Sequence, residues 1–223
     1  MMSPLPLLNL QLQRTNPALF SKQLVEACHK IGFFLLEHDL PGSICERALS
    51  ETSNFFQKPI EQKMSIYYGN QPSFRGYMPM GAENTEGQID GREQIEYAAE
   101  YGEWKHKSNT NKSNNDQFYH RLRVAENPWP DQVQPSLRPA ILEYVNGVLE
   151  IGDRLRNALC MGMGVDPSLI TDSMFGNTLV EDEHDTEPNF WSMKLVSYPP
   201  AKQHDADVRC VRGLQKAKIQ PKD

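Results

Sequence analysis

Histidine and carboxylate side chains stand close together in two parts of the sequence. His184 lies within a run of acidic residues, and His204 is followed by acids at Asp205 and Asp207. Imidazole nitrogens and carboxylate oxygens together bind divalent metals, so the two histidine-acid groups are a candidate metal site. The alternative, which we favour, is a solvated acidic loop and a solvated tail, because adjacent side chains rarely point at one ion. The acids around His184 are Glu181, Asp182, Glu183, Asp185 and Glu187.

Other short motifs that perform chemistry are missing from the sequence. It contains neither a phosphate-binding glycine loop nor the Gly-x-Ser-x-Gly motif of serine hydrolases. No two of its four cysteines form a Cys-x-x-Cys pair; they are Cys28, Cys45, Cys160 and Cys210. This scatter is typical of reduced core thiols and not of a zinc site or a disulfide framework.

Length and charge narrow the classes of protein to which the chain can belong. Its 223 residues are enough for one large domain or two small ones, and 39% of them are hydrophobic. The net charge of −6 repels a phosphate backbone, so we expect no nucleic-acid partner. The longest apolar run, Ile31 to Leu36, is far shorter than the about 20 residues of a membrane-spanning helix. We therefore expect a soluble, cytoplasmic protein with no membrane partner.

Hydrophobic periodicity predicts the helices that must position any functional side chains. Asn16 offers a capping oxygen to a helix that starts at Pro17. The longest amphipathic pattern runs from Leu137 to Gly162 and predicts a helix of roughly 39 Å.

Strands are predicted from apolar runs, from alternation or from their flanking residues. Residues 33–36 are apolar on both faces, which predicts a strand that is covered on both sides. A possible strand from Gln94 to Ala99 ends a polar stretch that contains several glycines. Trp191 to Tyr198 alternates with a period of two until Pro199 and Pro200 stop it. Residues 107–117 have no apolar member and predict a surface loop.

Several short motifs, taken in order along the chain, resemble those of one known family. They are Leu5 to Leu10, Ala27 to Leu36 with His38 following, Phe74 to Tyr77, the set Glu83, Thr85, Gly87, Asp90 and Glu93, Asn127 to Pro130, and Met193 to Pro200. The chain resembles the N-terminal part of the Fe(II)/2-oxoglutarate-dependent dioxygenases that are related to isopenicillin N synthase. Each motif is short, but their order and spacing make the resemblance specific.

The resemblance implies an α+β fold. We expect a helix-rich N-terminal domain and a partial, incomplete double-stranded β-helix, or jelly roll, with the long helix packed against the sheet. The expected boundaries are residues 1–130 for the N-terminal domain, 131–200 for the long helix and the first jelly-roll strands, and 201–223 for a divergent tail.

The iron site that the resemblance implies is not recognisable in this sequence. In the family, a His-x-Asp pair and a distant histidine hold Fe(II) and leave positions open for 2-oxoglutarate and dioxygen. An Arg-x-Ser grips the far carboxylate of 2-oxoglutarate. None of the six histidines here is followed two residues later by aspartate, and none of the eleven arginines by serine. We therefore expect no catalytic or metal-binding residues, and we expect neither Fe(II) nor 2-oxoglutarate to bind this chain productively.

The sequence around Cys210 resembles a family member that lacks the metal-binding hairpin. Residues 208–210 match the lead-in to the His-x-Asp strand, whereas residues 211–215 match a Gly-Leu-Gln strand that comes well after it. The second histidine and the Arg-x-Ser would be expected beyond Asp223. A skipped exon, a mispredicted gene model and a degenerate paralogue are the open explanations, and the transcript sequence across this join distinguishes them.

A few residues match family positions that lie near the site. Tyr198 matches a tyrosine whose hydroxyl points at 2-oxoglutarate, although a tyrosine packed at a strand end is an equal alternative. Val196 stands where plant members often have a second polar co-substrate contact. Arg75 and Tyr77 match a segment near the substrate mouth, which makes them candidate substrate-binding residues.

Two functions are compatible with these observations. The first is a fragment or variant of a dioxygenase whose intact relatives oxidise a small organic molecule, inactive as it stands. The alternative is a non-catalytic binding or regulatory module that retains the N-terminal domain. A jelly roll without its middle strands exposes strand edges, so aggregation of the lone chain would favour the first function and a folded monomer the second.

Overall fold

The computed structural model describes residues 5–73, 75–85, 88–100, 126–168 and 191–199. The chain forms two compact units: Met1–Leu49 with Pro139–Asn189, and Ser50–Arg138 with Phe190–Asp223. The domain boundaries that we expect near residues 130 and 200 stay a prediction. The expected loop at 107–117, both histidine-acid groups and the join at Cys210 lie outside the described residues.

The first unit begins with a pair of short strands and two helices. Strand β1 (Leu7–Asn9) is followed by helix α1 (Gln11–Thr15), helix α2 (Pro17–Lys30) and strand β2 (Leu35–Glu37), and the two strands are parallel. Helix α2 begins as the sequence predicts. Asn16 Oδ1 accepts a hydrogen bond from the Leu19 amide at 3.2 Å, and Pro17 lies in the first turn, where an N–H would have no helical partner.

Three further helices complete the helical part of the described chain. Helix α3 (Gly42–Phe56) leads through Pro59 to the short helix α4 (Ile60–Lys63), which two 3₁₀ turns follow at Met64–Ile66 and Tyr68–Asn70. Helix α5 (Leu137–Met163) has 27 residues, which confirms the long helix predicted from its apolar periodicity. None of the described helices is long and apolar enough to cross a membrane.

The core of the first unit lies between α2, β1 and the second half of α5. Its buried members are Leu8, Leu10, Phe20, Leu24, Ala27 and Ala158, and Ile151, Leu155 and Leu159 pack against them. Complete burial of a side chain such as Leu24 stabilises the fold by about 1.5–3 kcal/mol. The apolar stripe of α2 therefore has the packing partner that its helical spacing requires.

The prediction that residues 33–36 form a strand covered on both sides is wrong. Strand β2 starts only at Leu35, which is 54% exposed, and Leu7 opposite it on β1 is 60% exposed. Leu8 and Leu36 take the inward positions, because successive side chains of a strand point to opposite faces. A continuous apolar run shows that a segment is apolar, but it does not show that both of its faces are covered.

The second unit contains a three-stranded antiparallel sheet in the order β3 (Gly76–Met78), β6 (Glu93–Ala98), β7 (Ser192–Ser197). A separate hairpin of β4 (Asn84–Thr85) and β5 (Gln88–Ile89) precedes β6. The bounds of β6 and β7 confirm the two strands that the sequence predicts in these places. Helices together with antiparallel strands also confirm the α+β class.

Candidate functional site

The sheet of the second unit has two chemically different faces. Because side chains alternate along a strand, the register of β3, β6 and β7 assigns every residue to one face. The core face holds the buried side chains of Tyr77, Ile95, Tyr97 and Leu195. The polar face holds Met78, Gln94, Glu96, Lys194 and Val196, and Tyr198, one residue beyond β7, continues it.

Tyr198 is an exposed tyrosine whose hydroxyl has an arginine partner. Its side chain is 58% exposed, and its hydroxyl accepts a hydrogen bond from Arg92 Nη1 at 3.5 Å. Arg92 donates from Nε and Nη2 to Glu83 Oε2, with the Nε bond at 3.1 Å. The match of Tyr198 to a co-substrate contact stays a prediction, but the structure gives this tyrosine a defined polar neighbourhood.

Glu83 connects Arg92 to the polar face. One carboxylate oxygen of Glu83 accepts from Arg92, and the other accepts from Gln94 Nε2 at 3.0 Å. Asp90 lies 3.6 Å from Arg92 Nη2 and adds a second carboxylate. The hydrogen bond from Arg92 holds the pKa of Glu83 below its usual range, and the same bond raises the pKa of Arg92. Both groups therefore stay charged at neutral pH.

Tyr77 lies on the opposite, core face within a buried ionic cluster. Its hydroxyl donates to Glu93 Oε2 at 2.6 Å, and Lys63 Nζ donates to the same oxygen at 2.6 Å. Lys63 also donates to the Phe56 carbonyl at 3.1 Å and lies 5.4 Å from the centre of the Tyr77 ring. Burial and the bond to Glu93 raise the pKa of Tyr77, so its phenol stays protonated and works as a donor.

Arg75 is buried at the start of β3 and fastens the end of β6. Its Nη1 donates to the Ala99 carbonyl at 3.2 Å and to Asn127 Oδ1 at 3.4 Å. Asn127 in turn bonds the Ala98 backbone twice, with its Nδ2 donating at 2.8 Å and its Oδ1 accepting at 3.0 Å. The turn that begins at Asn127 is therefore held against the sheet by the hydrogen bonds of these side chains.

The position between Arg75 and Tyr77 requires a glycine, which is Gly76. Its φ is +117°, and a Cβ at this position would meet the Ile66 carbonyl oxygen at 2.3 Å and Pro128 Cγ at 2.9 Å. Only glycine combines this backbone conformation with so close an approach. Gly76 thus lets the backbone pass close to Ile66 and Pro128, and its two neighbours Arg75 and Tyr77 are both buried.

The structure does not bring the three nominated residues together. Arg75 and Tyr77 are buried, whereas Tyr198 lies on the polar face and is exposed. Lys63 and Arg92, which sequence reasoning missed, are central to the two networks. The sequence does indicate that Glu93 needs a partner, because Glu93 shares the inward spacing of Ile95 and a buried carboxylate must be compensated. It does not indicate that Lys63 is this partner, since the two residues are 30 positions apart.

The donor set of this chain does not fit iron bound in the manner of the family. Among the described residues, no group of three or more histidine, cysteine, aspartate or glutamate side chains is arranged to hold a metal ion. His184 and His204 lie outside the described residues. The whole sequence also lacks His-x-Asp and Arg-x-Ser. The iron therefore lacks its expected ligands, and the far carboxylate of 2-oxoglutarate lacks its expected binding residues.

The chain matches an established family over residues 5–132. The model of the N-terminal domain of the non-haem dioxygenase in morphine synthesis matches residues 5–132, more than half of the 223 residues. The chain therefore belongs to the non-haem, 2-oxoglutarate- and Fe(II)-dependent dioxygenase family.

Plant and fungal dioxygenases are among the relatives to which the chain is similar. The homoarginine-6-hydroxylase of Glycine max is 25% identical over 198 residues, which are 85% of this chain and 53% of the relative. A 2-oxoglutarate-dependent dioxygenase of a Dothideomycetidae species is 26% identical over 199 residues, which are 87% of this chain and 48% of the relative. The chain thus spans about half the length of the curated relatives that it matches.

Two solved structures share the fold of this chain. A member of the 2OG-Fe(II) oxygenase family from Caulobacter crescentus has a TM-score of 0.62 and 21% identity, covering 76% of this chain and 52% of that one. A full-length Neurospora crassa protein solved in complex with alpha-KG has a TM-score of 0.55 and 19% identity, covering 75% and 50%. At these identities the likeness concerns the fold alone.

Proposed function

We propose that this polypeptide is a fragment or variant of a non-haem Fe(II)/2-oxoglutarate dioxygenase and is itself inactive. It would supply the N-terminal domain and the first jelly-roll strands of an oxidoreductase that acts on a small organic molecule. The observation that carries the proposal is a family match over residues 5–132 in a sequence without His-x-Asp. A facial iron site needs three protein ligands, and this chain offers no recognisable set.

The sheet of the second unit supports the jelly-roll part of this proposal. An antiparallel sheet with one face packed on a core and one polar face is compatible with a layer of a jelly roll. The polar face would line the interior toward co-substrate, with Tyr198 at its end. The proposed boundaries are those expected from the sequence, at residues 130 and 200.

The three nominated residues would serve in different ways. Tyr198 remains our proposed contact to 2-oxoglutarate in a complete enzyme, because its side chain is exposed and its hydroxyl keeps a hydrogen to donate. Arg75 and Tyr77 are buried, and their polar atoms bond to Ala99, Asn127 and Glu93. These contacts favour a supporting role at the substrate mouth over direct contact with substrate.

The deciding experiment measures succinate formed from 2-oxoglutarate by the purified 223-residue chain with added Fe(II). We expect succinate at the level of a protein-free blank, while the Glycine max homoarginine-6-hydroxylase with homoarginine serves as the positive control. Fe(II)-dependent succinate that a chelator abolishes would refute the proposal.

Because the substrate is unknown, calorimetric titration with Fe(II), Mn(II) and Zn(II) is run in parallel on the chain and on His204→Ala. We expect no specific binding to either protein.

A non-catalytic binding or regulatory module is the second candidate function. The observation that favours it is the buried Lys63–Glu93 pair. Each charge has its partner within the chain, so neither needs a further strand to compensate it. Size-exclusion chromatography and thermal unfolding discriminate the two candidates. A soluble monomer with one sharp two-state transition favours the module, whereas aggregation at low concentration favours a sheet that needs further strands.

A further inference from the structure

Arg92 is the group that fixes the hydroxyl of the exposed Tyr198. We infer that Arg92 is a positioning residue that makes this hydroxyl donate its hydrogen away from the sheet, and that Glu83 and Gln94 hold Arg92 in place for this task. The inference rests on the proposed function, in which Tyr198 would contact a carboxylate co-substrate in a complete enzyme. It assigns a role to Arg92 and Gln94, which the matching motifs do not include, and to Glu83, which the family resemblance matches without a role.

The direction of hydrogen bonding follows from the chemistry of the two side chains. A guanidinium only donates, so at the 3.5 Å contact between Arg92 Nη1 and Tyr198 Oη the phenol oxygen is the acceptor. Within the described residues, no other hydrogen bond to this hydroxyl is present. The phenolic hydrogen is therefore free for an acceptor outside the sheet, such as a carboxylate oxygen of a ligand.

Arg92 can orient Tyr198 only if its own guanidinium is fixed, and Glu83 fixes it. Two of its nitrogens, Nε and Nη2, donate to the same oxygen of Glu83, and this forked contact determines the plane of the guanidinium. Nη1 is then the branch that remains for Tyr198. A lysine would place a single charge here without defining a plane, because an ammonium has no forked geometry.

Gln94 anchors this network to the sheet. It is 2% exposed, and its Nε2 contacts both Glu83 Oε1 and Met78 Sδ at 3.0 Å. The opposite amide orientation would set the carboxamide oxygen against the carboxylate, so the network itself determines which way Gln94 points. The order of support is therefore Gln94, Glu83, Arg92 and Tyr198, from a buried side chain on β6 to an exposed side chain beyond β7.

The polar face offers a matched control for this network. Lys194 lies on β7 four residues before Tyr198 and forms its ion pair with Glu96 on β6 at 2.5 Å. Both Lys194 and Arg92 are cations on the same face of the same sheet. Replacement of Lys194 therefore removes one positive charge from the same face of the sheet but leaves the hydrogen bond of Tyr198 in place.

The test is the tyrosine Cζ resonance in the full chain labelled with [13Cζ]tyrosine, since this shift responds to hydrogen bonding at the phenol oxygen. The chain has eight tyrosines, and Tyr198→Phe assigns the signal by removing it. We expect Arg92→Met and Glu83→Gln to displace the Tyr198 signal by more than its line width. Arg92→Lys should restore it in part, and Lys194→Met should leave it in place.

The remaining tyrosine signals report whether each variant is folded. An unmoved Tyr198 signal in Arg92→Met, with the other tyrosines unchanged, would overturn the inference. If Arg92→Met unfolds the chain, the near-isosteric Glu83→Gln decides, because it weakens the hold on Arg92 without removing a side chain. An equal displacement in Lys194→Met would also overturn the inference, since it would show a general charge effect. The sample contains neither iron nor 2-oxoglutarate, so failure of the proposed function leaves this result unaffected.

Discussion

Replacement of Lys63 by methionine should lower the free energy of unfolding of the second unit far more than a surface substitution does. Lys63 and Glu93 are buried to about nine-tenths, with side-chain exposures of 10% and 9%. Lys63→Met keeps most of the apolar stem of the lysine but removes the cation from beside Glu93 Oε2. The Glu93 carboxylate then keeps the hydrogen bond from Tyr77, at 2.6 Å, but loses its counter-ion.

The magnitude follows from leaving one charge buried without its counter-ion. Breaking a buried ion pair on one side costs about 3–5 kcal/mol, whereas exposed pairs contribute about 0–1 kcal/mol. With a urea m value of about 2 kcal/mol/M, the unfolding midpoint should fall by roughly 1.5–2.5 M. Replacement of both charges, as Lys63→Met with Glu93→Gln, should recover much of the loss because no lone charge stays buried.

Tryptophan fluorescence during urea unfolding is the appropriate assay, because all three tryptophans fall within the sequence of the second unit. Trp129 reports its core directly, since its ring stacks on Tyr97 with the centroids 4.0 Å apart. Lys194→Met is the surface control, as this lysine is 52% exposed in its ion pair with Glu96. A Lys63→Met loss no larger than that of Lys194→Met would refute the reasoning, and so would a double variant less stable than both single variants.

Gly76→Ala and Tyr77→Phe test the β3 segment by the same unfolding measurement, and a glycine of α5 supplies a control. Gly76→Ala should lower the free energy of unfolding by about 1–3 kcal/mol, because φ is +117° and the new Cβ meets the Ile66 carbonyl oxygen. Gly152→Ala in α5, which lies in the first unit and is followed by far-UV circular dichroism, should raise it by about 0.5–1 kcal/mol; equal effects would contradict this. Tyr77→Phe should cost about 1.5–3 kcal/mol at neutral pH through its lost bond to Glu93. The pKa of Tyr77 is raised, so its stabilisation is complete below about pH 10, the unfolded pKa, and is lost as pH rises; wild type should therefore lose stability above pH 10 more steeply than Tyr77→Phe.

The elements that the sequence predicted correctly share one property, which is that local spacing determines them. Helix α2 follows from the Asn16 cap and from apolar residues at helical spacing, and α5 follows from the same periodicity over 27 residues. Strand β7 follows from alternation and from the prolines that stop it. Residues 33–36 failed because an apolar run carries no information about what covers each face, and Leu35 is exposed.

The two polar networks could not be predicted, because their members meet only through tertiary structure. Arg92 and Tyr198 are 106 residues apart, and their contact depends on the register in which β6 pairs with β7. A slip of one residue would move every side chain of β7 to the opposite face. The match to a family motif makes Tyr198 a candidate, but nothing near it in the sequence indicates Arg92 as its partner.

The two networks meet at the start of β6, where three consecutive residues serve opposite faces. Glu93 points to the core face and pairs with Lys63, while its neighbours Arg92 and Gln94 belong to the network around Glu83 and Tyr198. Because side chains alternate, a buried Glu93 commits both neighbours to the polar face. The ion pair with Lys63 therefore does more than stabilise the core. It fixes the face from which Arg92 reaches Tyr198, so a variant that releases Glu93 should also displace the Tyr198 resonance before the unit unfolds.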